Sequence, residues 1–396
     1  MKYDFDKVID RHGTYAVKWD GAQLFGPNVH FNEDTIPMMI ADMDLPCPQP
    51  VIDAIHRVAD HMMYGYSTHI CDPEYALSLC RWFRDRHSWE VTPEEVLHSH
   101  GTFGALTHVA LMKTKPGDGV ILMNPVYGHF SEDVVKWGRR VAFCHLLCDS
   151  EGYYTIDYAK LEALAADSNN TLLILCNPHN PVGRVWTSEE MAKVAAICEK
   201  HGVFVISDEV HCDHLRAGVR FTPYLTVCGD KSNAIALVGI NKSFNMAGLS
   251  CSNAVVQDDG LRKEILQTYH APMPTPFAIA GQIAAYAEGD EWMDQVCDYI
   301  TGNIDWAIDF FRKEMPKLNI HRPEGTYFLW LDFRGYNLSD EEIHKRIYVE
   351  ANVMLQDGTV HDPEEGQCFQ RMCVPCARSV LMTACRRIAE AFRDVE

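Results

Sequence analysis

The sequence predicts an α/β protein built on a mostly parallel sheet with helices on both faces. Three observations carry this. From Val96 onward, short apolar runs alternate with stretches of helical periodicity. Several runs, at 172–176, 204–207 and 234–238, are apolar almost throughout, as strands buried on both faces are. The segments that follow these runs are rich in glycine, asparagine and proline. Open α/β sheets bind their ligands at such strand ends.

Taken in order, the first ~45 residues read as irregular. Their distinctive pieces are Arg11-His12-Gly13-Thr14 and Lys18-Trp19-Asp20. Ile40-Ala41-Asp42-Met43-Asp44 leads into Pro46, Pro48 and Pro50, a rigid entry to a helix near 51–61. Tyr64-Gly65-Tyr66 breaks the pattern, and 73–87 forms an amphipathic helix ending in basic residues, as its dipole favours. Seven strands are expected at 96–98, 120–123, 140–145, 172–176, 204–207, 234–238 and 253–256. Helices are expected at 103–113, 130–137, 158–166, 188–200 and 261–269. A long helical region at 278–317 follows, then a strand at 327–332 and helices at 340–351 and 378–392. Residues 46–288 are expected to form a large domain holding the seven-stranded sheet. Residues 1–45 and 289–396 are expected to form a smaller α/β domain from both chain ends.

The formal net charge of −20 over 396 residues disfavours nucleic acid and anionic membranes as partners, because both need basic patches. No apolar run approaches the ~20 residues of a membrane span. The polar start, Met1-Lys2-Tyr3-Asp4, carries no signal-peptide pattern. Fifteen scattered cysteines in a chain this large read as reduced thiols, and so as a cytoplasmic protein. A lone CxxC at Cys373 and Cys376, and His211-Cys212-Asp213-His214, have metal-ligand residue types without a second cluster at zinc spacing. We read both as packing residues and expect no metal.

Four strand ends hold candidate chemistry. Lys242 lies in Gly239-Ile240-Asn241-Lys242-Ser243, just past the run 234–238. A lone lysine is usually a solvated surface group, but a desolvated one near other cations has a lowered pKa and can form a Schiff base. Asp208 ends the run 204–207, where a buried carboxylate needs a cation unless it merely caps a helix. Two Asn-Pro pairs around Asn180 fix a turned loop whose amide can meet a ligand oxygen. In His100-Gly101-Thr102, a glycine turn opens a helix whose free N–H groups suit a phosphate, although such turns are often structural.

With these pieces in place the chain resembles the fold-type I pyridoxal-phosphate (PLP) enzymes of the class I/II aminotransferase superfamily. It is most similar to the MalY/PatB group of cystathionine β-lyases, the C–S lyases. The resemblance runs nearly end to end. It takes in Tyr3-Asp4-Phe5-Asp6, Lys18-Trp19-Asp20, Ala41-Asp42-Met43-Asp44, Tyr64-Gly65-Tyr66, Pro125-Val126-Tyr127, Asn177-Pro178-His179-Asn180-Pro181, Ser207-Asp208-Glu209-Val210-His211, Lys242-Ser243-Phe244-Asn245, Glu324-Gly325-Thr326-Tyr327 and the segment from Arg371 to Arg378-Ser379.

The resemblance implies an aspartate aminotransferase-like fold, PLP as cofactor and a small amino acid as substrate. It makes Lys242 the Schiff-base lysine and proton-transfer base. Asp208 would pair with the pyridine nitrogen, so that the ring acts as an electron sink. Tyr127 would stack on the ring. Asn180 and His211 would stand near its phenolic oxygen. Gly101 and Thr102 would offer N–H groups to the phosphate, and Arg371 would clamp the substrate carboxylate. Tyr66 matches a tyrosine that reaches the neighbouring subunit's phosphate, which implies a homodimer with shared active sites.

The sequence departs from this pattern in several places. Gly239 and Asn241 stand where members usually carry serine or threonine. Ser250 replaces a frequent phosphate-binding arginine. Arg371-Met372-Cys373 replaces Arg-Leu-Asn. The expected reaction is β-elimination from cystathionine or another S-substituted cysteine. An aminotransferase, and a regulatory protein on the same fold, are the alternatives.

Overall fold

The computed structural model describes residues 3–21 and 31–396. At its centre is a seven-stranded sheet: β1 (Val96–His100), β2 (Gly119–Leu122), β3 (Arg140–Phe143), β4 (Asn170–Cys176), β5 (Phe204–Asp208), β6 (Ala234–Val238) and β7 (Cys251–Val255). The spatial order is β1-β7-β6-β5-β4-β2-β3. The strands from β6 to β3 run parallel, and β7 is antiparallel to both of its neighbours. All seven strands lie where the sequence predicts them, with ends displaced by a few residues.

Alternate side chains of the buried strands feed two cores. Ile121, Leu173, Leu175 and Val205 face one core, and Val120, Leu122, Leu172, Ile174 and Ile206 face the other. This is why these strands read as continuous apolar runs, with both faces dry. Cutting one such leucine to alanine typically costs about 2–5 kcal/mol, since the surrounding helices cannot close the gap.

The helices of the chain include α1 (Gln49–Asp60), α2 (Glu74–His87), α3 (Gly101–Lys113), α4 (Pro276–Glu288), α5 (Asp290–Glu314) and α6 (Arg378–Phe392), and those at His129–Lys136, Tyr158–Ala165 and Ser188–His201 also pack on the sheet. The predicted helix at 278–317 is in fact two, α4 and α5, broken at Gly289. A side chain at Gly289 would strike the Ala285 carbonyl and the Phe244 ring, so the chain turns there. The predicted helix at 340–351 is regular only through His344, then widens into π-type turns at Lys345–Glu350.

Near the carboxyl end a second sheet forms from β8 (Phe328–Asp332), β9 (Gln356–Asp357) and β10 (Phe369–Cys373), all antiparallel in the order β8-β10-β9. Strands β9 and β10 were not expected from the sequence. Ile36–Pro37 pairs in parallel with Val353–Met354, tying the early chain to the late chain.

Candidate active site

Strands β5 and β6 are neighbours, with Asp208 opposite Leu237. Asp208 is the last residue of β5, and Lys242 follows β6 within the one-turn helix Ile240–Ser243. The two side chains meet in a cavity of about 170 Å³, which Thr102, Tyr127, Asn180, His211, Asn241 and Ala41 also line. Arg371, on β10, sits behind Asn180, with its Nη1 donating to Asn180 Oδ1 at 3.0 Å. Residues far apart in sequence thus converge on the carboxyl ends of the parallel strands, as this sheet type predicts.

The electrostatics are those of a site waiting for a ligand. Asp208 is buried, and burial pushes its carboxyl up to about 7 against the opposing effects of the Val210 N–H and Lys242. A docking cation reverses that balance and ionises it. Burial, and next Arg371, hold the Lys242 amine below its ordinary value. Its Nζ donates to the Ala41 carbonyl at 2.7 Å. His211 is buried edge-on to Tyr327 and Phe328, and burial holds it neutral. Its Nδ1 has no hydrogen-bond partner. Tyr127 packs edge-on to Phe130 at 5.4 Å, and burial lifts its hydroxyl to about 12.

Arg371 is 1% exposed, and its Nη2 donates to the Met39 carbonyl at 2.7 Å. Its guanidinium lies 4.3 Å from the Phe328 ring centre, and its Nε is unpartnered. Among the described residues no carboxylate pairs with it. Leaving a cation buried this way is costly unless an anionic ligand completes it.

The phosphate-cradle expectation needs one correction. Gly101 has φ +65°, which suits glycine, but its N–H is committed to the Ser250 carbonyl at 2.8 Å. The open N–H groups at the start of α3 are therefore those of Thr102 and Phe103. Ser250, with φ +49°, acts there through its backbone. The hydroxyl of Ser252, which no sequence motif marks, lies 3.2 Å from Thr102 Oγ1 and receives Asn241 Nδ2 at 2.8 Å. Gly239 makes room for it, since a Cβ there would lie 2.6 Å from Ser252 Oγ. Tyr66 is fully exposed and lies outside the cavity lining.

Two further groups support the site. Asp213 accepts from Trp82 Nε1 at 2.9 Å, from His87 Nε2 at 2.8 Å and from Ser243, and His214 Nε2 donates to the Lys242 carbonyl at 2.9 Å. Together they anchor the Lys242 turn to α2. The early chain supplies the other group. Arg11 bonds Asp42 and Asp44, while Lys18 and Trp19 bond Asp44. The Asn245 side chain grips Met43 and Leu45. This clamp sets the Ala41 carbonyl against Lys242. It also gives a physical reason for the Arg11, Lys18-Trp19 and Asp42-Met43-Asp44 motifs. Cys373 and Cys376 are buried behind it, near Lys18.

Comparison with known proteins agrees with this geometry. Residues 33–388 match the model of the family "Aminotransferase class I and II". Cystathionine beta-lyase PatB of Bacillus subtilis is 37% identical over 98% of this chain and all of its own length. Protein MalY of Escherichia coli is 30% identical over 99% of this chain and all of its own length. The crystal structure of cystalysin from Treponema denticola, which contains a pyridoxal 5′-phosphate cofactor, superposes with a TM-score of 0.93 at 30% identity, each chain covering all of the other. The end-to-end match, together with a lysine and a carboxylate at the ends of adjacent parallel strands, means that this chain belongs to the class I and II aminotransferase family.

Proposed function

We propose that the protein is a PLP-dependent carbon–sulfur β-lyase, cleaving cystathionine or another S-substituted cysteine to a thiol, pyruvate and ammonia. The observation that carries this reading is the meeting of Lys242 and Asp208 in one small cavity, with a buried Arg371 that no carboxylate pairs held behind Asn180 of its wall. The residues present fit the cofactor: a carboxylate poised to ionise, open N–H groups at the start of α3, and an unpartnered His211 nitrogen. Bound there, the cofactor supplies the electron sink that makes an α-proton acidic. Asp208 holds a proton on the ring nitrogen. Lys242, its pKa lowered by burial, moves the α-proton. Arg371 orients the substrate carboxylate, Tyr127 covers the ring, and Asn180 and His211 face its oxygen. Thr102, and not Gly101, gives its N–H to the phosphate.

Elimination is favoured over transamination because, among the described residues, the cavity lining contains no arginine, and the guanidinium at hand is that of Arg371 behind it. In the adjoining cavity of about 710 Å³, Arg11 is already committed to Asp42 and Asp44. A dicarboxylic keto acid would therefore lack a second clamp. Within this reading the protein works as a homodimer. Met62, Met63, Tyr64, Tyr66 and Ile70 form an exposed apolar stretch suited to a second copy, and Tyr66 is free to reach a partner's site. Within this reading residues 46–288 form the large domain and residues 1–45 with 289–396 the smaller one, which brings Arg371 to Asn180. No helix among the described residues is long and apolar enough to cross a membrane, and all fifteen cysteines are free, which supports a cytoplasmic setting. The test is turnover of cystathionine and other cysteine S-conjugates without any keto acid. Pyruvate, ammonia and thiol in equal amounts are expected. A requirement for an added keto acid, with a new amino acid returned, would replace this reading by the aminotransferase one.

A further inference from the structure

Among the described residues, three places bring histidine, cysteine or carboxylate ligand atoms within 4.8 Å of one another. Their internal bonding separates them. In His87–Cys212–Asp213, the Asp213 carboxylate already faces four donors, Trp82, His87, Ser243 and the Cys212 thiol, so its four lone-pair sites are taken. In Asp340–His344–Asp357, His344 is in direct contact with Asp357. Burial opposes its charge, but that contact outweighs burial and raises its pKa. Its ring nitrogen is thus committed to the Asp357 carboxylate.

The third place differs. His145 Nε2 is buried and has no hydrogen-bond partner. It lies 3.4 Å from Asp362 Oδ1 and 3.5 Å from Glu364 Oε2, and Glu365 completes the cluster. These separations are too long for a good imidazole–carboxylate hydrogen bond. They are close to the spacing between ligand atoms around a tetrahedral ion, where bonds of about 2.0–2.1 Å imply edges of about 3.3 Å. With Asp362 Oδ1 taken by two N–H groups, its second oxygen is the one left for an ion. The cluster stands in the wall of a cavity of about 430 Å³, which leaves room for water on an open position. Its frame is fixed on both sides. Cys144, beside His145, donates to the β2 carbonyl of Leu122, and Asp362 accepts the N–H groups of Glu364 and Glu365.

We propose that His145, Asp362 and Glu365, with Glu364 at the rim, bind a divalent transition cation of the zinc class. One imidazole and two or three carboxylates suit such an ion better than magnesium, which prefers all-oxygen shells. The ion joins the end of β3 to the turn that carries His361. His361 and Val126 exchange two hydrogen bonds, Nδ1 to the Val126 carbonyl and Val126 N–H to the His361 carbonyl, each 3.1 Å. Val126 precedes Tyr127, so the ion stiffens the support of that ring without entering the active-site cavity.

The test is titration of chelator-treated, cofactor-loaded protein with Co²⁺, which takes zinc sites and reports its ligands by its visible spectrum. One equivalent should bind with a nitrogen–oxygen tetrahedral spectrum and raise the melting temperature. His145→Gln and Glu365→Gln should each weaken binding at least about tenfold, as loss of even an outer partner does. His344→Gln should leave it unchanged. Glu365 is exposed, so its variant folds whatever becomes of His145, and the cofactor's visible band reports folding in both. Cobalt binding equal in wild type and His145→Gln, sulfur-to-cobalt charge-transfer bands, or no binding at roughly 1 mM cobalt would each overturn the proposal and leave His145 an ordinary neighbour of carboxylates.

Discussion

Replacing Asp208 by asparagine removes a carboxylate that burdens the cofactor-free protein. Without a cation beside it the carboxyl is pushed up to about 7 from its ordinary 3.8, with burial as the main cause. Between those values the folded protein keeps a proton that the unfolded chain has released. Its stability therefore falls as pH rises through that window, and the loss is complete above about 7. At about 1.4 kcal/mol per pH unit the full penalty is roughly 4 kcal/mol. Asparagine keeps the shape and loses the charge. The cofactor-free Asp208→Asn protein should therefore be the more stable of the two, and its advantage should grow by about 2–3 kcal/mol between pH ~5 and ~8. Glu209, raised to about 8 mainly by burial and in smaller part by Asp208, titrates nearby, so the difference reports Asp208 together with its coupling to Glu209. Urea denaturation of both cofactor-free proteins across that range measures it. With the cofactor bound the order should reverse, because the variant has lost the anion that pairs with the ring. A stability difference that does not change with pH, or a variant less stable at pH ~8, would refute the reasoning.

Two further outcomes rest on the same kind of contact. Arg371→Lys should leave the cofactor's visible band intact and lower kcat/KM by about 10–150-fold, mostly through KM, because an ammonium cannot hold Asn180 and Met39 and still present a fork to a carboxylate; steady-state kinetics with an S-substituted cysteine reads this. Lys18→Met should cost about 3 kcal/mol in urea denaturation, since it removes one partner of a buried ion pair 2.6 Å long and leaves Asp44 to Arg11 and Trp19. Burial opposes the Asp44 charge, but Lys18, Trp19 and Arg11 together outweigh it and hold the carboxyl below 3.8, so the pair's contribution is lost only as pH falls through that lower value.

Strand positions and the lysine–aspartate pair were legible because their signals are local. A strand buried on both faces must be apolar throughout, and a parallel strand must end in a loop, so Asp208 and Lys242 announce themselves. Strand β10 gave no such signal. Phe369-Gln370-Arg371-Met372-Cys373 has two polar residues in five, yet all five are buried. Those polar residues find their partners elsewhere in the chain, Arg371 Nη1 and Nη2 with Asn180 and Met39 and Gln370 Oε1 with Tyr348, while Arg371 Nε and Gln370 Nε2 stay unpartnered. A partner so distant in sequence leaves no periodicity to read. The same holds for Gly239 and Ser252. Seen alone, Gly239 stands where the resemblance leads one to expect a serine or threonine beside the lysine. In the folded chain the antiparallel β7 brings Ser252 Oγ to within 2.6 Å of where a Gly239 Cβ would stand. A hydroxyl is thus present at that place, delivered from the neighbouring strand and held by Thr102 and Asn241. The two positions cannot both carry side chains there, so the glycine is the condition for the serine, and any residue larger than glycine at 239 must push Ser252 away from Thr102.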